Sequence, residues 1–254
     1  MSDKKFDFPT HVLDLPSKGL VYPQDNPLSS GQIEIKYMTA KEEDILSSQN
    51  LIKKGIVIDK LFESIIVDKS INVDDIIIGD KNAIILATRV LGYGPDYSIQ
   101  GFSQVKNETI KTKVDLSEVK TKDVDFSIFS NKNEFDFETP IGKKKIKVKI
   151  LTHGDEKSID KDLQALEKLN SDTASDITTR LRYIITSVEG DSDLSTINSF
   201  VNSLLARDSR ALREYVRSIT PDMDMNFTYT HEDGEEELLP INLGVGFFWP
   251  TQES

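Results

Sequence analysis

The hydrophobic period of this chain switches between two values, and that switch most restricts what it can fold into. In "IDKLFESII", Ile58, Leu61, Phe62, Ile65 and Ile66 recur at the spacing of one buried helical stripe. In "NEFDFETPIGKKKIKVKI" the period falls to two. Phe135 and Phe137 alternate with acids, and beyond a Pro140–Gly142 turn Ile146, Val148 and Ile150 alternate with lysines. The helical period returns after Asp155, with Ile159, Leu163, Leu166 and Leu169 on one stripe. Ile177, Leu181, Ile184, Ile185 and Val188 mark a second helix that Gly190 ends. The chain then closes on "FTYTHEDGEEELLPINLGVGFFWP", residues 227–250, read as a strand, an acidic turn and a final apolar strand. Two helical groups, each followed by antiparallel β-ribbons, specify an α+β fold rather than alternating βαβ units.

The remaining segments fit that scheme. "HVLDLPSKGLVYP" is extended, with turns at Pro16 and Gly19, and "GQIEIKYM" is a strand with Ile33 and Ile35 on one face. Thr39 and Glu42 form a capping box that starts a helix. Asp80 reads as the N-cap of "KNAIILATRVLG", a central helix stopped at Gly92, and "YSIQGFSQVKNETIKTKVDL" as strand, turn, strand. "LSTINSFVNSLLARDSRALREYVRSI" supplies one or two more helices before Pro221. The expected organisation is a loose N-terminus over residues 1–9, strands, helices and two ribbons over 10–151, and helices with a closing ribbon over 152–254. These parts pack as one unit.

Several kinds of chemistry lack the residues they need. No cysteine is present, so disulfides, thiolate metal sites and cysteine nucleophiles are excluded. A net charge of −12 argues against nucleic acid and against an anionic membrane. The N-terminal stretch has no apolar run of signal-peptide type, so folding in a cytosol is expected and the sequons at Asn107 and Asn226 imply no glycosylation. Lys143, Lys144, Lys145, Lys147 and Lys149 read as the only basic cluster, and pairing with Glu134, Asp136 and Glu138 across the ribbon is the cheaper account of it. "DMDMN" spaces Asp222, Asp224 and Asn226 like a calcium loop, but Phe227 stands where glycine must turn the chain. His11, His153 and His231 lie far apart, and no nucleophile elbow or phosphate loop exists. No enzyme, cofactor or small-molecule substrate is expected. The run Phe247, Phe248, Trp249, Pro250 is the strongest local signal, as a core seal or as an aromatic anchor for a partner.

The segments "LPSKGLVYP", "IEIKYMTAKEEDIL", "KKGIVIDKLFESIIV", "VDDIIIGDKNAIILATRVLGYGPDY", "ARDSRALREYVRSITPDMDM" and "FFWP" together resemble the baseplate hub and hub-assembly proteins of T-even-type contractile-tailed phages. That family commonly carries two Cys-Pro-x-Cys-Gly knuckles, one on each of two ribbons, implying a shared structural zinc. In this chain the aligned positions are Phe102 and Val105 in the first ribbon and Thr230 and Asp233 in the second, with Gly234 retained. Both thiolate pairs are lost together, so the ribbons resemble a zinc ribbon without its metal. The expected consequence is that packing, with Phe102 and Val105 as apolar replacements, holds them.

The resemblance implies a late phage protein made in the host cytoplasm, acting as a virion component of the tail baseplate or as an assembly factor. It would work through contacts with other tail or baseplate hub proteins. A tail assembly chaperone, for example for the tape-measure protein, absent from the virion, is the alternative. An unrecognised hydrolase is the second.

Overall fold

A computed structural model describes residues 8–103, 106–168 and 176–249. The expected loose N-terminus therefore lies, over residues 1–7, outside the described residues, as do Val105, Leu169 and Pro250.

Strand β1 (Thr10–Asp14) pairs antiparallel with β2 (Gln32–Lys36), and Ile33 and Ile35 turn inward as their alternation requires. The intervening loop folds back at Gly19, whose φ of 76° and the Ser29 carbonyl 2.4 Å from any added Cβ leave room for glycine only. Helices α1 (Ala40–Ser47), α2 (Gln49–Lys53) and α3 (Val57–Ile65) follow, α3 burying Leu61, Phe62 and Ile65 completely.

The capping box forms, and Glu42 does more than cap. Its fully buried carboxylate accepts from the Thr39 amide (2.8 Å) and hydroxyl (2.6 Å), from Ser64 (2.5 Å) and from Lys36 (3.1 Å). Burial pushes this carboxyl up, but the bonds from Ser64, Thr39 and Lys36 outweigh it and hold it down at about 2. A pKa lowered from 4.5 means that Glu42 stabilises the fold above that pH and stops doing so as pH falls toward 2. Glu42→Gln is expected to lose about 1–3 kcal/mol at neutral pH. In urea unfolding, the gap from the native chain should close in acid.

Helix α4 (Ile78–Tyr93) is central, as its apolar pattern requires, but its ends differ from expectation. It begins before Asp80, so Asp80 is no cap. It runs through Gly92 to a C-cap at Gly94, where φ is 83°. Arg89, buried beneath that end, donates to the Gly94 (2.9 Å) and Asp96 (3.2 Å) carbonyls. Near its start, α4 meets the chain at Pro221, whose carbonyl oxygen would lie 1.7 Å from a Cβ on Gly79. Gly79→Ala is expected to destabilise by about 1–3 kcal/mol or more, because backbone must move, and a melting curve would show it.

The first long ribbon is β3 (Asp96–Ser103) with β4 (Glu108–Asp115); the second is β5 (Phe135–Glu138) with β6 (Lys145–Val148). Asp136 faces Lys147 and Glu138 faces Lys145 across the latter, and Lys147 bonds Glu134 at 2.5 Å, as charge pairing requires. Helix α5 (His153–Lys168) and helix α6 (Asp176–Ile184) come next. The helix expected to continue to Gly190 stops at Ile184. Residues Ile185–Val188 instead form β7, a third strand beside β6. The sequence "ITSV" is β-branched at three of four positions, which suits a strand better than a helix.

Helix α7 (Leu194–Ser203), capped by Asp193, leads to α8 (Ala206–Ile219) and the last ribbon, β8 (Asn226–Thr230) with β9 (Glu236–Pro240). The strand expected after the acidic turn forms as β9 but does not reach the aromatic run: among the described residues, Val245–Phe248 is a single 3-10 turn. A strand would send adjacent Phe247 and Phe248 to opposite faces; the turn buries both. One apolar cluster runs from Leu15 to Phe248 and takes side chains from both helical groups and from three of the ribbons.

Candidate partner-binding site

The first and last long ribbons lie side by side. Ser103 donates to Glu237 (2.6 Å), Lys106 pairs with Asp233 and with Glu235 (3.0 Å), and a Cβ on Gly101 would sit 3.2 Å from the Leu239 side chain. Val105 lies outside the described residues, and the other knuckle-aligned residues bring no apolar packing that seals this junction. Phe102 is 53% exposed, Thr230 is exposed, and Asp233 contributes a surface ion pair. Polar atoms join the tips instead. Buried His231 sets its Nε2 3.2 Å from the same Glu237 oxygen that Ser103 reaches, with Tyr229 edge-on to its ring at 5.0 Å. Hydrogen bonding to Asp233 and Glu235 raises the Lys106 pKa, and Lys106 in turn lowers that of Asp233. Glu237, Ser103 and His231 carried no recognisable motif in the sequence, because their roles arise only where the two ribbons meet.

Metal-ligand types converge elsewhere. Ligand atoms of Asp59, Asp74 and His153 lie within 4.8 Å of one another. Lys157 puts its ammonium 2.5 Å from Asp59 and 2.6 Å from Asp74, so a side-chain cation already holds the central place. Burial, and then Lys81, lower the His153 pKa and favour its neutral form. The calcium-like residues make other bonds. Asp222 accepts from Asn82 (2.9 Å), and Asp224 accepts from Asn226 (2.9 Å).

A cleft of about 830 Å³ between the first loop and residues 121–126 carries Asp14, Lys18, Lys122 and Asp123, with the Lys18 ammonium over the Phe126 ring. Asp80, whose carboxyl burial pushes up to about 6, is sealed in the core, where Ser17 and Tyr22 bond it.

The aromatic run divides sharply. Phe247 and Phe248 are 1% and 0% exposed, and Phe247 packs 5.0 Å from the Tyr97 ring. Both are closed inside this chain's own core, so neither is free to meet a partner in this conformation. Trp249 is 36% exposed and lies 6.5 Å from the ring of Tyr93 at the end of α4. Tyr93 donates to Glu43 (2.6 Å), and burial together with that bond pushes its pKa to about 12, which fixes it as a neutral donor. The Arg89 guanidinium lies 5.3 Å from the Tyr93 ring centre, beneath the same platform. The result is a partly exposed indole beside a tyrosine that Glu43 holds by a hydrogen bond.

Among the described residues no helix is long and apolar enough to cross a membrane. Neither the characterised proteins nor the solved structures contain a match to this chain. A family model described as T4 bacteriophage base plate protein matches residues 9–249, nearly the whole length, and the chain belongs to that family.

Proposed function

We propose that this baseplate protein is a structural or assembly component of the tail baseplate hub, made in the host cytoplasm and acting through protein contacts without turnover. The family supports contact with other baseplate proteins and a place in the tail. The observation that carries the reading is Trp249. It is a large amphipathic side chain left 36% exposed next to two buried phenylalanines, beside Tyr93, which bonds Glu43 and lies over Arg89. Aromatic side chains held this way lose little entropy when a partner covers them.

Quantitative proteomics of purified particles and of isolated hub complexes tests the role. The hub reading expects a fixed copy number in hub complexes, or in their precursors if the protein acts only during assembly. Enrichment with unassembled tape-measure protein, and absence from every hub complex, would favour a tail chaperone. The loss of both thiolate pairs carries a separate expectation: the purified protein should hold no stoichiometric zinc. Elemental analysis finding about one zinc per chain would contradict it.

A further inference from the structure

Lys157 leaves the cluster around it half used. Asp59 comes from α3, Asp74 from the 3-10 turn Val73–Asp75, and His153 and Lys157 from the first turns of α5. The ammonium meets Oδ1 of each aspartate. Asp59 Oδ2 and both ring nitrogens of His153 are buried and make no hydrogen bond among the described residues. His153 is only 5% exposed, and the ring of Phe62, itself fully buried, lies 6.2 Å from the imidazole. Buried polar atoms left this way call for a partner.

The backbone holds these groups together. The His153 amide donates to the Ile76 carbonyl (2.8 Å), one residue beyond the Val73–Asp75 turn. A Cβ on Gly154 would lie 2.9 Å from the Asp74 Cβ, so glycine lets Asp74 close on the start of α5. Asp59 Oδ1 and His153 Nε2 stand 3.4 Å apart. Ligands about 2.1 Å from one ion stand roughly 3.0–3.4 Å apart, so this pair already has the separation that a shared metal requires. The Lys157 side chain is 36% exposed and borders a cleft of about 420 Å³. Asp160, on the same wall and three residues further along α5, offers a displaced ammonium another carboxylate.

We infer that Asp59, Asp74 and His153 form a site for a divalent transition-metal ion, with Lys157 as the occupant that the ion displaces. Two carboxylates and one imidazole suit Mn²⁺ and its first-row neighbours, whereas Ca²⁺ takes oxygen ligands alone. The ion would take the imidazole lone pair that no donor uses and would join α3 to α5 through one centre. Because it must displace an ammonium, it exchanges with solution and is filled by added metal rather than carried through purification. The expectation of no stoichiometric zinc in the purified chain therefore stands beside it. Neither Trp249 nor the hub reading enters.

Mn²⁺ titrated into the full chain, with the ring resonances of His11, His153 and His231 followed by NMR, tests the site. The expected result is that His153 broadens first, while exposed His11 in β1 and His231 in the last ribbon keep their lines. Asp74 is half exposed, so Asp74→Asn leaves the core closed, and it should bind Mn²⁺ at least about tenfold more weakly. Lys157→Gln removes the competing charge and should bind at least about tenfold more tightly. Mn²⁺ should then raise the melting temperature of Lys157→Gln by more than it raises that of the native chain. A purely structural ion pair predicts neither gain. Circular dichroism checks that each variant folds, and either variant alone decides the matter. Broadening with no preference for His153, a folded Asp74→Asn that binds like the native chain, or a folded Lys157→Gln that binds no more tightly would overturn the proposal.

Discussion

Asp80→Ala is expected to destabilise the fold by about 3–5 kcal/mol. The Asp80 carboxylate, 0% exposed, accepts from the Ser17 amide (2.9 Å), the Ser17 hydroxyl (2.7 Å) and the Tyr22 hydroxyl (2.6 Å). Tyr22 passes the connection on, accepting from the Ile77 amide (3.1 Å) just before α4. Alanine would strand three buried donors, each costing about 1–3 kcal/mol, with some relief as the hydroxyls rotate. The loop after β1 would lose its tie to the central helix.

The same carboxyl gives a pH signature opposite to that of Glu42. Burial pushes the Asp80 pKa from 3.8 to about 6, against the hydrogen bonds from Ser17 and Tyr22. The folded chain then binds this proton more tightly than the unfolded one, so stability rises as pH falls from about 6 toward 3.8. The gain from this group is up to about 3 kcal/mol. Asp80→Asn, which keeps one acceptor and no titration, should remove that rise. Urea unfolding between neutral pH and about pH 4 measures it; an unchanged slope in the variant would contradict the assignment.

Phe248→Ala is the second large effect, expected to cost about 3–5 kcal/mol. The side chain is 0% exposed and sits edge-on to Phe247, with ring centres 6.1 Å apart. Removing it opens a cavity under the Val245–Phe248 turn, and thermal unfolding should show the loss directly.

Local signals were legible where a single segment decides the outcome. The α3 stripe, the Thr39–Glu42 box and the Phe135–Val148 ribbon each carry their period or cap in a few consecutive residues. Segments that satisfy two periods misled. Ile184, Ile185 and Val188 fit a helical stripe, yet β6 offered Ile185–Val188 an open edge and β-branching favoured the strand. Asp80 looked like a cap because Asp before an apolar run commonly is one. Its partners Ser17 and Tyr22 lie about 60 residues away, and no local pattern announces them. At the candidate site, the sequence marked the aromatic run but could not sort it, since burial of Phe247 and Phe248 depends on a turn rather than on alternation.

We propose that this baseplate protein works through a surface centred on Trp249, and Trp249→Ala set beside Phe248→Ala separates that reading from a core role. Both variants should be measured for thermal stability and for co-purification with hub proteins. The account predicts that Trp249→Ala melts close to the native chain yet loses at least about 2 kcal/mol of partner binding, roughly thirtyfold in affinity. If Trp249→Ala unfolds as readily as Phe248→Ala, or binds hub proteins like the native chain, Trp249 is not an anchor and the claim is contradicted.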